Sequence, residues 1–575
     1  MGSCRKLSCV RAHISAHFST FVQEVCSFWL ISVNIFCTFI AVLCNSITFA
    51  ADFSKISLKV MKKIVLSLVV FMMTSVSALA GGILTNTNQS VNFLKNPARD
   101  AAIGLDGVYS NPAGVAFMPE GLHIAFNWQY AHQTRTITST DPLFAMGKRN
   151  EGKTTKTFEG VADAPVIPSL QAAYNKGNWS LQFNFSMPGG GGACEFENGL
   201  GSFERAVGSI AGMLKQGGFD VQGYDMDAYM RGRQYYFGFQ FGAAYKINEH
   251  WSVYGGLRAL YGDASYRARL SHISVVTSNG AVDFGDFLEG NIDDINRRIG
   301  SAQTQLQLAA QSGMYTADQL SAMQAQAASQ MAEAEAGLKS LYKLHRYGNG
   351  VNLQSSQVGF GIAPIIGVNF KTGNFNFAAK YEFNTEMKMK NYSTLEEPLK
   401  IEGQMANFPG IANINKFEDG TKVNEDTPAM LALGAQWSVM PNLRLNLGYH
   451  HYYDKDAHWY NDSQKKLDSG SNEYLGGVEW DVSKKVNISC GAQITRYGLT
   501  DAYMNDMSFV VNSYSAGFGV SYKATDKITL TAAYFQTNYS HYNVVDEVDA
   551  AGNMTKGDSY TRTNRVLGLG CQVDF

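Results

Sequence analysis

The sequence predicts an all-β protein, a fourteen-stranded antiparallel barrel that crosses a membrane. Three observations predict it. Bulky apolar and small or polar residues alternate with period two along much of the chain, short turns alternate with long polar loops, and the strand-like runs number fourteen, an even count.

Alternation comes first because successive side chains of a strand point to opposite faces. In Leu122-His123-Ile124-Ala125-Phe126-Asn127-Trp128-Gln129-Tyr130 the even positions are bulky and the odd ones small or polar. Tyr235–Phe241, Leu443–Tyr449, Val486–Ala492 and Leu567–Phe575 repeat the pattern. Short turns at Lys176-Gly177-Asn178, Asn248-Glu249-His250, Thr372-Gly373-Asn374, Met440-Pro441-Asn442, Ser483-Lys484-Lys485 and Ala524-Thr525-Asp526 separate the runs at one end. The strands so delimited are 120–138, 166–175, 178–188, 233–246, 251–270, 355–371, 375–391, 427–439, 443–456, 473–483, 486–499, 513–524, 527–545 and 562–575. Hydrocarbon cannot satisfy backbone N–H and C=O groups, so such a sheet must close on itself.

Composition agrees. The 575 residues would ordinarily fill about four soluble domains, but a large barrel is an exception to that scaling. A hydrophobic content of 45% and a mean hydropathy of −0.15 are too low for a polytopic helical protein. Aromatics at 12% argue against disorder, and a net charge of −2 gives no electrostatic case for nucleic acid.

The first eighty residues read as a leader. From Met61 the chain runs MKKIVLSLVVFMMTSVSALA: basic Lys62 and Lys63, an apolar core from Ile64 to Met73, then small Ala78 and Ala80 before Gly81. That is the three-part pattern of a secretory signal peptide, expected over 61–80. Residues 1–60 are expected to be an upstream stretch from a start assigned too early, the alternative being a second anchor near Phe28–Ala41. Removing 1–80 leaves 40 basic against 47 acidic residues and three cysteines, Cys194, Cys490 and Cys571. No CxxC or Cys/His metal spacing remains, and Cys490 and Cys571 read as small hydrophobes.

Residues 81–119 lie between that leader and the first strand. They carry an Ala/Gly-rich stretch, Ala101–Gly107, and Tyr109-Ser110-Asn111-Pro112-Ala113-Gly114 just ahead of strand one. This segment resembles the N-terminal hatch of FadL-type outer-membrane transporters of long-chain fatty acids and aromatic hydrocarbons. The resemblance implies that 81–119 plugs a barrel spanning 120–575, with Asn111, Pro112 and Ala113 as the hatch motif. A second Asn96-Pro97-Ala98 lies upstream; the spacing to strand one assigns the motif to Asn111–Ala113. The resemblance also implies that the hatch moves and that a kink in the third strand opens the wall sideways. Here that strand runs into Pro188, Gly189 and Gly190, residue types that interrupt regular pairing. Phe575 resembles the C-terminal aromatic read by the barrel assembly machinery.

The longest loop, loop three, spans 271–354. Ile292, Ile295, Ile299, Ala302, Leu306 and Ala309 recur at helical spacing, and a capping box, Thr316-Ala317-Asp318-Gln319, opens a second stripe. That stripe includes Leu320, Met323, Met331 and Leu338, so a helical hairpin is expected. By the resemblance these four residues are candidates for an outer apolar capture groove; the alternative is that the two stripes pack on each other.

No phosphate loop, HExxH, GxSxG or triad motif occurs, so no catalytic residue, metal or cofactor is expected. Adjacent His450 and His451 face opposite sides of a strand and cannot share a metal. The expectation is a monomer in outer-membrane lipid that takes up hydrophobic small molecules passively. The competing expectation is a surface receptor or adhesin, for example for haem or a host ligand; a barrel enzyme such as a lipase lacks a visible nucleophile.

Overall fold

Alternating strands fold as the sequence dictates, into a closed antiparallel wall. The protein is described by a computed structural model over residues 90–575, apart from 314–315, 346–347, 349, 396–399, 402–403 and 406–413. The expected upstream stretch 1–60 and signal peptide 61–80 lie outside the described residues.

The wall consists of β1 (Gly121–Thr140), β2 (Thr155–Lys176), β3 (Trp179–Phe196), β4 (Gly223–Lys246), β5 (Trp251–Thr277) and β6 (Val351–Thr372). It continues as β7 (Phe375–Glu382 and Lys388–Leu395), β8 (Lys422–Asn424 and Met430–Met440), β9 (Leu443–Tyr452) and β10 (Asn472–Asp481). The last four are β11 (Val486–Arg496), β12 (Ser513–Lys523), β13 (Ile528–Tyr539 and Tyr542–Val548) and β14 (Met554–Asp574). The 18 segments of the sheet thus form fourteen strands, three of them interrupted, plus a short return at Gly280–Asp283. β14 pairs with β1, from His123 opposite Asp574 to Thr140 opposite Gly557, so the sheet has no free edge.

Burial runs opposite to that of a water-soluble barrel. In β1 the polar odd positions His123, Asn127, Gln129, Gln133 and Arg135 are buried inside, while Leu122, Ile124, Phe126 and Trp128 face out. Elsewhere on the outside Leu447 is 66% exposed and Phe360 60%, which suits a hydrocarbon surround. Aromatic rings gather near the short turns: Trp179 packs at a tilt against Tyr245 (4.8 Å between centroids) and Trp251 against Phe370 (4.5 Å), and Phe375 stacks with Trp437 (5.9 Å). Tyr514 and Tyr522 bracket β12 at spacing corresponding to about 20 Å along the membrane normal, the span of an apolar band between aromatic girdles. No helix among the described residues is long and apolar enough to cross a membrane.

The outer ends differ from the sequence-based boundaries. β2 begins at Thr155 instead of 166, β4 at Gly223 instead of 233, and β14 at Met554 instead of 562; β5 runs on to Thr277, beyond the expected loop start at 271. Above the lipid there is no apolar medium to impose alternation, so Arg231, Arg233, Arg267 and Arg269 sit within strands without an alternating signature. A short helix, α1 (Val91–Lys95), precedes the wall, and the loop between β3 and β4 forms a second, α2 (Gly201–Gln216), which the alternation does not reveal. Phe203, Val207, Ile210 and Leu214 of α2 join Phe158, Phe196, Tyr224 and Leu270 in the largest apolar cluster, at the outer end. The hairpin of loop three is present as α3 (Phe284–Gln311) and α4 (Ala317–His345). Its capping box is reciprocal: Gln319 N donates to Thr316 Oγ1 (3.3 Å) and Thr316 N to Gln319 Oε1 (3.0 Å).

Candidate functional site

Residues 90–119 fold inside the barrel as a short helix, α1 (Val91–Lys95), capped by Ser90, followed by single helical turns at Leu105–Val108 and Gly114–Phe117. Several polar groups that face inward from the wall bond to this segment. Asn127 accepts from Val91 N (3.0 Å), Asn376 donates to Ala101 O (2.6 Å), Gln240 to Val108 O (2.8 Å) and Asn175 to Val115 O (2.8 Å). Charges are paired across the same boundary. Arg99 binds Asp106 (2.7 Å) within the segment and Glu479 of β10, which Arg444 also holds at 3.2 Å. His450 of β9 lies between Asp100 (2.9 Å) and Glu473 (2.8 Å). The Tyr109 ring sits under two cations, Arg258 at 4.7 Å and Lys380 at 4.6 Å.

Close approach is made possible by wall glycines. A Cβ on Gly491 would lie 2.7 Å from Pro97 Cδ, and one on Gly519 2.8 Å from Lys95 Cβ. Gly434, Gly477, Gly517 and Gly568 face Asp100, Asn96, Leu94 and Val91 in the same way. A void beside Asp100, Tyr109 and His450 measures only about 20 Å³, the size of a water molecule.

Asn111, Pro112 and Ala113 are each anchored to a different strand. Asn111 Nδ2 donates to Asn369 Oδ1 of β6 (2.9 Å) while its Oδ1 accepts from Gly114 N (3.1 Å), Pro112 O accepts from Gln182 of β3 (2.7 Å), and Ala113 O from Ser252 of β5 (2.7 Å). The upstream Asn96-Pro97 turn abuts the opposite strands, at Gly477 of β10 and Gly491 of β11.

The longest interruption in the wall's pairing, among the described residues, lies between β2 and β3. β2 and β3 pair from Lys176–Trp179 up to Leu170–Phe185 and meet again only at Val161–Glu195. Pro165 and Pro168 remove two donors from β2 within this interval, and Pro188 removes one from β3. On its other side β3 stays paired with β4 through two bulges, between Ser186 and Gly189 and between Gly190 and Gly192. Gly190 has φ +72, and a Cβ there would collide with the Gln234 carbonyl, so the bend requires glycine. Sequence reading expected Pro188–Gly190 to end the strand; instead β3 continues to Phe196 and the break faces β2. Ile167 stands in the interval and touches two apolar groups: Val91, Leu94 and Phe535 beside α1, and Met187 with Tyr235 on the β3–β4 side.

Above the inner segment a cavity of about 520 Å³ opens among the outer loops. It is lined by Gln234 and Tyr236 of β4, Arg205 of α2, and loop residues that include Lys416, Trp459, Tyr460, Tyr503 and Asp506. Gln234, Tyr236 and Gln240 share one face of β4, so the cavity, the bend beside Gly190 and the contact with Val108 follow one another down a single strand.

This architecture matches solved structures. A FadL homologue from Pseudomonas aeruginosa superposes with a TM-score of 0.52, covering 86% of this chain and 100% of its own at 11% identity. The chain has the FadL-type outer-membrane fold. The toluene transporter TodX of P. putida (12% identity, 87% and 98% coverage, TM-score 0.45) and the toluene transporter TbuX of Ralstonia pickettii (13%, 85% and 99%, 0.45) are also similar. No protein-family model matches the sequence, and no curated protein sequence matches it.

Within this FadL-type barrel the groove candidates of loop three fall elsewhere than in the cavity. Leu338 is buried against Phe284, Leu288 and Ile292 at the base of the hairpin, Leu320 and Met331 are half-buried, and Met323 is 37% exposed; none lines the cavity. Phe575 is half-exposed, and its backbone N–H donates to Leu122 O (2.9 Å). The cavity residues were missed because they come from eight loops and strands far apart in sequence. Their local signal is aromatic and acidic residues side by side, as in Trp459-Tyr460 and Asp501-Ala502-Tyr503-Met504-Asn505-Asp506. No cluster of three or more His, Cys, Asp or Glu suited to a metal occurs among the described residues.

Proposed function

We propose that this barrel takes up hydrophobic compounds from outside and releases them sideways through its wall. The cargo class is that of small apolar molecules such as aromatic hydrocarbons or long acyl chains. The compound enters the outer cavity, passes when residues 90–119 shift, and leaves through the β2–β3 interval into outer-membrane lipid. The observation that carries this reading is the position of Ile167, which joins the apolar contacts of α1 to Met187 and Tyr235 across the interval. Ser186 lies roughly 18 Å along the membrane normal from Trp179 at the inner girdle, so the interval begins in the outer part of the apolar band. Unpaired backbone there is tolerable where it borders protein or a polar path, and costs several kcal/mol per group against lipid.

In this reading Asn111–Ala113 latch the inner segment, Pro188–Gly190 hold the opening, and the outer cavity takes the capture role expected of the loop-three stripe. The protein acts as a monomer, assembled through Phe575. No energy source is required, because transfer of an apolar solute into lipid is downhill. The test is to cross-link Ile167→Cys to Met187→Cys with a short bifunctional thiol reagent and follow ethylbenzene uptake by proteoliposomes. Uptake should fall at least tenfold on cross-linking and recover with a cleavable reagent. Unchanged uptake in the fully cross-linked protein overturns the proposal.

A further inference from the structure

We infer that the outer cavity selects organic ammonium compounds, a primary ammonium on an aromatic or aliphatic body, over carboxylates of the same body. The transport reading supplies its physiological direction. Three independent features of the lining meet here.

First, the charge is unbalanced. Six carboxylates line the cavity (Glu425, Asp426, Asp501, Asp506, Asp546 and Asp558) against three basic groups, Arg205, Lys416 and Lys466, a formal excess of three negative charges. Arg205 is already held by Asp558 (2.8 Å) and Asp141 (3.3 Å), and Lys416 by Glu425. Asp501 and Asp546 form no ion pair among the described residues and are exposed to the opening. Burial raises the Asp506 carboxyl; a neutral Asp506 still leaves an excess of two. A concave site with this sign concentrates cations and repels anions.

Second, the lining is aromatic. Tyr236, Tyr266, Trp459 and Tyr503 present ring surface that suits both an apolar body and a cationic head.

Third, Gln234 offers an acceptor with no donor. It is 4% exposed, its Nε2 donates to Tyr236 Oη (2.6 Å), and its Oε1 has no hydrogen-bond partner among the described residues. A buried amide oxygen is costly to leave unpaired, and an ammonium N–H supplies the missing donor. A carboxylate would bring acceptor to acceptor and negative charge to negative charge. A neutral hydrocarbon satisfies the rings alone.

The test uses the full barrel in lipid nanodiscs, with 2-phenylethylammonium, 3-phenylpropionate and ethylbenzene as probes in calorimetric titrations at low and high salt. The ammonium should bind at least about tenfold more tightly than the carboxylate at low salt, with the ratio shrinking as salt rises. The double variant Asp501→Asn, Asp546→Asn, at two exposed positions, should narrow the ratio. Gln234→Leu should lower the affinity for the ammonium relative to that for ethylbenzene. A carboxylate bound as tightly as the ammonium, or a ratio that moves in neither variant, overturns the inference. The Ile167–Met187 cross-link separates the two readings. Blocked ethylbenzene uptake without ammonium preference leaves transport standing and removes this inference; ammonium preference with uptake insensitive to the cross-link does the reverse.

Discussion

The Asn111 side chain of the inner segment and the Asn369 side chain of β6 meet at 2.9 Å, with Asn111 Nδ2 donating to Asn369 Oδ1. Asn369 in turn pairs with Asn376, which donates to Ala101 O, so one amide chain ties two points of the segment to the wall. Asn111 is buried, and its Oδ1 also caps Gly114 N (3.1 Å). Replacing it by leucine removes these bonds and leaves partners unpaired, at about 2–3 kcal/mol. Amide exchange over residues 104–118 should accelerate by about 30- to 100-fold while strand amides hold. Equal exchange in both proteins would show that the latch is not Asn111.

Gly190 should tolerate nothing larger. Its φ of +72 and the Gln234 carbonyl against its Cα make Gly190→Val costly by about 1–3 kcal/mol. Gly373 also has a positive φ, +52, but nothing lies within 4 Å of its would-be Cβ. Gly373→Ala should therefore cost only about 1 kcal/mol. Thermal unfolding of the two barrels, read by the loss of compact migration on unheated gels, checks the difference.

Asp454 makes the loop between β9 and β10 sensitive to pH. Its carboxyl is fully buried, its Oδ2 accepts from Ser471 N (2.7 Å), and burial, opposed by those Ser471 bonds, pushes its pKa up to about 6. The folded state thus prefers the protonated acid. The stability gained is fully present below the ordinary carboxyl value of 3.8 and is lost as pH rises through about 6. Protection of amides 454–471, corrected for intrinsic exchange, should fall by up to about 3 kcal/mol between pH 4 and 7. Asp454→Asn should abolish that slope; a slope surviving in the variant would refute the assignment.

The helical hairpin should be dispensable for capture. Gly285 and Gly348 come together at its root, a Cβ on Gly348 lying 2.8 Å from Gly285 Cα, and none of its described residues lines the outer cavity. Deleting 286–347 across this junction should leave the barrel folded and ethylbenzene affinity within about twofold. A loss of affinity tenfold or greater would return the capture role to Leu320, Met323, Met331 and Leu338.

Much of the wall was legible because lipid imposes a strict period on any strand it touches. Leu122 to Tyr130 could be assigned face by face, and β11 begins at Val486 as the alternation indicates. Loop three was legible too, since two stripes and the Thr316–Gln319 box are local. What lay hidden depends on distant partners. The period fails above the membrane, where β4 and β5 continue as far as Gly223 opposite Val276. Pro188-Gly189-Gly190 signalled irregularity, but which neighbour β3 abandons is decided by Pro165 and Pro168 on β2. The cavity has no contiguous sequence at all, drawing Gln234, Lys416, Trp459 and Asp506 together from separate loops and strands.

The glycines opposite residues 91–101 make the wall and its contents a matched pair. Each was chosen by the backbone or side chain it faces, so neither partner is free to vary alone. A larger residue at Gly477 displaces the Asn96 side chain and with it the bond from Ala98 N to Asn96 Oδ1. Enlargement on one side is accommodated only by shrinkage on the other. An inner segment transplanted from a barrel of the same fold should therefore sit poorly here unless its glycine-bearing strands travel with it.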